Sequence, residues 1–412
     1  MEATLRLIAL RGIARSIRRM SATSFRPDSR IPRALLAVVL VASIACASAP
    51  GRASGRGTPD IAMALDSIFA AYVEPGHPGA GVLVVKDGQV VASRSYGLAD
   101  IDRRIPTTEE TNYRLASLSK QFTATAVMLL ARDGRLRFDD RVSDLLPGMP
   151  AHARDVTIRH LLTHTSGLQA YENFVPRGQS EQVKDRDVLT LIQGADSLYF
   201  PSGSAHRYSN TGYALLALVV ERLSGQPYAR FLEERIFRPA GMRGTVAFEP
   251  GVSTVPNRAF GYIFRNGGIF LSDQSSTSAV LGDGGVYSSL HDMLAWERAL
   301  DARTILRDEE LRQAWTPMAL TDGSVSRYGF GWFVDREDGT LRLSHHGETS
   351  GFTNFILKYP ERRLTVLVLT NRRGGAPWDL VARVAALPAL GGSGVPRDVR
   401  ELERFPTPSE YP

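Results

Sequence analysis

A chain of 412 residues that is 43% hydrophobic, with 37 Gly and 23 Pro, can bury a large core, which excludes fibrous and disordered classes. Its formal net charge of +6 sits at one end: residues 1–45 hold eight Arg against Glu2 and Asp28, and the remainder balances 41 basic against 41 acidic side chains. The body of the protein is therefore neutral, which excludes a nucleic-acid surface as a partner.

The chain opens with Arg26, Arg30 and Arg33, an apolar run from Ala34 to Ala45, and then small residues. That is the order of a bacterial secretory signal, with Met20 as an alternative start. Cys46, the only cysteine, follows in S-I-A-C, which is similar to a lipobox except that Ser43 stands where Leu is usual. Three readings stand: lipidation of Cys46, ordinary cleavage near Ala45 or Ala49, and an uncleaved anchor, for which Ala34 to Gly51 barely suffices. A single Cys forms no internal disulfide, so export to the periplasm, as a free or a membrane-anchored lipoprotein, rests on this leader alone. The expected division is leader 1–46, linker 47–58, one domain over 59–390 and a Gly/Pro-rich tail 391–412.

Thr58-Pro59-Asp60 reads as a helix start, with Ile61, Leu65, Ile68 and Phe69 on one face through Tyr72. Gly81–Val85 and Val90–Tyr96 are strand-like and meet at Asp87-Gly88, a hairpin signal. A helix expected around Ser117 ends at Asp133-Gly134, and a short turn lies at 142–146. The middle third reads as helices at 156–162, 187–193, 212–224, 228–236 and 289–301. Strand patterns return at 328–335, 341–344, 351–359 and 364–371, followed by a helix over 377–387. The pattern predicts an α+β fold: one antiparallel sheet flanked by helices from both termini, with an inserted all-helical region.

Three stretches carry candidate chemistry. In Y-R-L-A-S-L-S-K-Q, Ser117 and Lys120 stand at i and i+3, so on one helix turn a hydroxyl and an amine share a face. The protein has only four lysines, Lys86, Lys120, Lys184 and Lys358, yet S-x-x-K alone is a weak motif. Tyr208 and Asn210 in Y-S-N offer a phenol and an amide, although Asn210 in isolation also suits a helix cap. In S-H-H-G-E, His345 could line a groove and Gly347 lets another backbone or a ligand approach, although in isolation a solvated turn with two histidines is the better explanation of the stretch. His160 and His164 lie at i and i+4 without H-E-x-x-H, so no metal is expected, and no cofactor fingerprint appears.

In this order, S-x-x-K, Y-x-N and H-x-G resemble the serine β-lactamase and penicillin-binding-protein superfamily, in its class C-like branch with DD-peptidases, D-aminopeptidases and family VIII esterases. R-H-L-L-T-H-T-S-G-L at 159–168, R-P-A-G-M at 238–242 and G-D-G-G-V-Y-S-S at 282–289 extend the resemblance over roughly residues 60–388. It implies an acyl-enzyme on Ser117, and a serine hydroxyl needs a base. Lys and Tyr titrate near ~10.4 and ~10 when free, so a coupled Lys120 and Tyr208 pair needs a shifting environment. The resemblance gives Asn210 the task of orienting Lys120 or the substrate amide. It gives the backbone N–H groups of Ser117 and Glu348 the oxyanion hole.

K-T-G is absent, and His345-His346-Gly347 takes its place. A histidine near neutral pH holds only part of a charge, which weakens the attraction for acidic β-lactams. The expected activity is hydrolysis of an ester, or of an amide near a D-amino acid, in a small-molecule or peptidyl substrate. A slowly deacylating penicillin-binding DD-peptidase or β-lactam sensor, a class C-like β-lactamase, and a non-catalytic binding lipoprotein are the competing readings.

Overall fold

The computed structural model describes residues 54–57, 59–394 and 397. Cys46, the rest of the leader and most of the expected tail lie outside the described residues. Seven strands form the main sheet: β1 (Ser54–Gly57), β2 (Ala80–Lys86), β3 (Gln89–Tyr96), β4 (Phe333–Glu337), β5 (Thr340–Thr349), β6 (Phe352–Tyr359) and β7 (Leu364–Thr370). Their order is β1-β3-β2-β7-β6-β5-β4, and every neighbouring pair is antiparallel. Val84 lies opposite Val366, so the first and last thirds of the chain close one sheet.

Both sheet faces are covered, which is why β2 and β7 read as almost unbroken apolar runs. Val82, Val84, Val366 and Val368 face helices α1 (Pro59–Ile68) and α6 (Pro377–Ala385), in a core with Leu65, Phe69, Phe355 and Val381. Leu83, Val85, Leu367 and Leu369 alternate to the other face and join a larger core with the insertion. That insertion includes α2 (Lys120–Arg132), α3 (Asp185–Ile192), α4 (Asn210–Ser224) and α5 (Leu290–Asp301). Residues 120–130 of α2 are all buried, in keeping with the uncharged run Phe122–Ala131, and Phe122 packs on Phe237 and Trp296 with centroids 5.2 and 5.0 Å away. Among the described residues no helix is long and apolar enough to cross a membrane.

Several elements differ from expectation. Within the stretch read as a linker, Ser54–Gly57 pairs with Ser95–Ala92 through its backbone, which S-G-R-G announces by no side-chain alternation. The insertion also carries a small sheet of Tyr113–Arg114, Val286–Ser288 and Val246–Ala247, and a hairpin of Tyr262–Arg265 with Gly268–Leu271. The first helix ends at Ile68 and passes into a tighter turn, Ala70–Tyr72. H-H-G is not a solvated turn: β5 runs through it, with His345 opposite Ile356 and Gly347 opposite Asn354.

Candidate active site

The nucleophile candidate is built from backbone outward. Ser117 lies in a 3-10 turn, Ala116–Ser119, that runs directly into α2, so the i to i+3 spacing survives the change of helix type. Ala116 is held at φ 50, a left-handed conformation that costs a non-glycine residue on the order of 1–3 kcal/mol. What holds it is close packing by glycines. A Cβ added at Gly347 would stand 2.2 Å from the Leu115 carbonyl oxygen and 3.3 Å from Ala116 Cβ, and one at Gly284 would stand 3.4 Å from the Ala116 carbonyl carbon. Asn354, across from Gly347, donates to the Arg114 carbonyl at 2.8 Å and ties β6 to the same turn.

Lys120 is wholly buried, and its three ammonium protons have three acceptors: Ser117 Oγ at 3.0 Å, Asn210 Oδ1 at 2.9 Å and the Asp283 carbonyl at 2.8 Å. Its Nζ also lies 5.0 Å from the Tyr208 ring centroid and 5.4 Å from that of Tyr213. Burial pulls Lys120 down to about 8, while the Asp283 and Glu172 carboxylates oppose the shift. At neutral pH such an amine is neutral far more often than an exposed lysine. Burial pushes the Asp283 carboxyl up to about 7, with Lys120 opposing. Ser117 itself is only half-buried, so the hydroxyl facing this amine is reachable from outside.

Asn210 opens α4 without capping it. Its Oδ1 accepts from Lys120, and its Nδ2 donates to Glu172 Oε1 at 2.8 Å, so the amide is oriented at both ends. The Tyr208 ring packs against His164 with centroids 4.1 Å apart and planes tilted by 37°, and His164 Nδ1 accepts the Ser209 N–H at 3.2 Å. His160 closes its own helix, its Nδ1 accepting the Thr157 N–H. His345 departs from expectation: it lines no open groove. It is wholly buried under Tyr328 and Phe333, with Nε2 2.8 Å from the Tyr328 hydroxyl and Nδ1 2.6 Å from the His346 carbonyl. A carbonyl only accepts, so Nδ1 carries the proton and Nε2 accepts from Tyr328. Burial, then the neighbouring His346 and Lys120, hold its pKa well below the usual imidazole range, so it is neutral. Glu348 is exposed near the end of β5, and its carboxylate pairs with Arg373 at 3.1 Å. β4 pairs with β5 only as far as Ser344, which leaves the Gly347 stretch to pack on the Ser117 turn.

A family model described as beta-lactamase matches residues 65–390. The chain belongs to the beta-lactamase family. Among relatives of this beta-lactamase-family chain, penicillin-binding protein 4* of Bacillus subtilis is 32% identical over 82% of this chain and 77% of its own length. A D-aminopeptidase of Cereibacter sphaeroides is 33% identical over 78% of this chain, which spans 62% of that protein. The octameric penicillin-binding-protein homologue from Pyrococcus abyssi superposes with a TM-score of 0.69, at 26% identity, covering 84% of this chain and 80% of that one. D-amino acid amidase from Ochrobactrum anthropi shares the fold, with a TM-score of 0.64 at 24% identity over 76% and 92% of the two chains. This family member is thus a serine hydrolase by descent.

Three features of the site went unassigned in the sequence. The turn Leu281–Gly284 of G-D-G-G supplies the Asp283 carbonyl to Lys120, and Asp185 accepts from its Leu281 and Gly282 N–H groups at 2.8 and 2.9 Å. Arg114 is buried and donates to Ser278 and to the Gly284 carbonyl, fixing the other side of that turn. Glu172, exposed in the 3-10 turn Tyr171–Phe174, reaches Asn210. The acceptor at Asp283 is a backbone oxygen and Glu172 stands in no motif, so neither announced itself in the sequence.

Proposed function

We propose that the protein is an exported hydrolase of amides or short peptides bearing a D-amino-acid residue with a free α-ammonium. The observation that carries this reading is Glu172. Its carboxylate is exposed, forms no salt bridge among the described residues, and stands three hydrogen bonds, through Asn210 and Lys120, from Ser117 Oγ. A substrate ammonium gains from that charge, a neutral ester gains nothing, and an anionic β-lactam is repelled. The neutral, buried His345 adds no compensating cation where a lysine would stand. The D-aminopeptidase relatives support the same class of substrate.

In the proposed cycle Ser117 Oγ attacks the carbonyl carbon while its proton passes to the coupled Lys120 and Tyr208 pair. The Ser117 and Glu348 N–H groups stabilise the oxyanion. The carbon–nitrogen bond then breaks, the leaving amine takes the proton, and water attacks the acyl ester to free Ser117. The leader is proposed to export the chain and Cys46 to carry the lipid. Turnover of D-alanine p-nitroanilide, its L-enantiomer, p-nitrophenyl acetate and nitrocefin, with Ser117→Ala as control, tests the reading. D-amide turnover well above nitrocefin is expected. Equal rates for both enantiomers, or nitrocefin as best substrate, contradict it.

A further inference from the structure

His164 takes no step in the cycle above, yet it holds the residues on either side of Tyr208. Its backbone carbonyl accepts the Arg207 N–H at 2.9 Å, and its Nδ1 accepts the Ser209 N–H at 3.2 Å. The two bonds flank Tyr208 and fix the backbone from which the phenol projects. The imidazole then packs on the phenol ring itself.

The backbone of His164 shows that its side chain has a task. The short helix Ile158–Leu162 ends in a turn where the Thr165 N–H donates to the His160 carbonyl at 2.9 Å and the His164 N–H to the Leu161 carbonyl at 3.4 Å. That is the pairing of a Schellman stop, whose left-handed position usually belongs to glycine. Here the residue at φ 57 is His164, so the chain accepts strain that a glycine would not incur. Hydrogen bonding of the ring is one-sided. Nδ1 accepts, so the proton is on Nε2, and Nε2 has no hydrogen-bond partner among the described residues although the residue is only 1% exposed. The ring otherwise packs on Tyr213 and Tyr328, with centroids 5.1 and 4.4 Å from its own. Its one polar contact is thus the Y-S-N backbone. The residues that follow are held by other means: Asn210 by its amide between Lys120 and Glu172, and Thr211 by donating to the Gln169 carbonyl and accepting the Tyr171 N–H. Slack in this stretch therefore falls first on Tyr208.

We propose that His164 is the positioning residue of the base: it holds Tyr208 against Lys120, whose Nζ lies 5.0 Å from the phenol ring centroid, and thereby sets the rate at which Ser117 is acylated. The imidazole neither takes nor gives a proton. Burial, then His206, Lys120 and His345, hold its pKa well below the usual imidazole range, so Nδ1 stays an acceptor at neutral pH. The inference rests on the proposed place of Tyr208 in the base.

The rate at which a fluorophosphonate probe labels Ser117 in the full chain reads acylation without a choice of substrate. Wild type, His164→Gly, Tyr208→Phe and the double variant complete a cycle. Glycine adopts φ 57 without strain and keeps the backbone carbonyl, so only the ring and its acceptor are lost. Tyr208→Phe is expected to label about 10²-fold more slowly. His164→Gly should label roughly 10- to 100-fold more slowly, and the double variant within about threefold of Tyr208→Phe alone. His164→Asn suits the left-handed backbone and offers Oδ1 to the Ser209 N–H but has no ring. It should recover most of the loss, to about 3- to 10-fold below wild type, and that remainder too should vanish beside Tyr208→Phe. It carries the cycle if His164→Gly does not fold. Losses that multiply in the double variant assign His164 to the fold alone and overturn the inference while leaving Tyr208 in the base. Wild-type speed in His164→Gly, or in His164→Asn where glycine does not fold, overturns it as well. Wild-type speed in Tyr208→Phe removes Tyr208 from the base and overturns the inference together with that assignment, with Ser117 still the nucleophile.

Discussion

At the scale of single residues, the account turns on how Lys120 is held. Every proton of its ammonium is engaged and it is wholly buried, so removing it leaves three acceptors unsatisfied and Ser117 without the amine that faces it. For Lys120→Ala we expect kcat/KM to fall about 10²–10⁴-fold, the usual worth of a general base, with circular dichroism unchanged. The acceptor form is the deprotonated one, so log kcat/KM should rise with pH and level off above about 8, the value to which burial pulls Lys120. The same group acts on stability. Its folded value lies below the 10.5 of an exposed lysine, so between about 8 and 10.5 the unfolded chain binds more protons and this term stabilises the fold as pH rises. Glu172→Gln should lower kcat/KM for a D-aminoacyl amide roughly 10- to 100-fold, the worth of a charge-assisted contact, and change p-nitrophenyl acetate turnover far less, and only through its smaller influence on Lys120. Ser117 and Lys120 were legible because helical spacing is written in side chains. The acceptor at Asp283 was not, because it is a backbone oxygen 163 residues from Lys120 and carries no residue signature.

At the scale of elements, the site is a place where a strand presses on a strained turn. Gly347 has no room for a Cβ, which would overlap the Leu115 carbonyl oxygen at 2.2 Å. Gly347→Ala should push β5 off the Ser117 turn and move the Glu348 N–H with it. The expected loss in kcat is roughly 10²–10³-fold, comparable to deleting one oxyanion donor, with a smaller change in Tm. Stopped-flow acylation on the purified variant checks it, and an unchanged acylation rate would show that the strand's closeness is not needed. The approach of a second backbone was readable from the glycine itself. The strand running through H-H-G was not, since two consecutive histidines look polar until Tyr328 and Phe333 are known to cover His345. The hairpin at 262–271 carried Asn266-Gly267, a turn signal that the surrounding helical pattern masked.

At the scale of the whole molecule, both chain ends build one sheet around which the helical insertion is folded. β2 and β7 are its middle, and Leu367 is buried between them and the larger core. Leu367→Ala should cost about 2–5 kcal/mol in urea unfolding through the cavity it leaves, without touching the site. The α+β division was readable because strand and helix periods separate cleanly along the chain, whereas β1 pairs through backbone alone. The neutral charge balance of the body, against a basic leader, also belongs to this scale and predicts rates nearly independent of salt for uncharged substrates. The central claim is a covalent acyl-enzyme on Ser117, and the most direct measurement is intact-mass and peptide mapping after reaction with a fluorophosphonate probe. The account predicts one adduct, on the peptide containing Ser117, formed far more slowly in folded Lys120→Ala and absent in Ser117→Ala. An adduct on another residue, or wild-type labelling speed in Lys120→Ala, would contradict it.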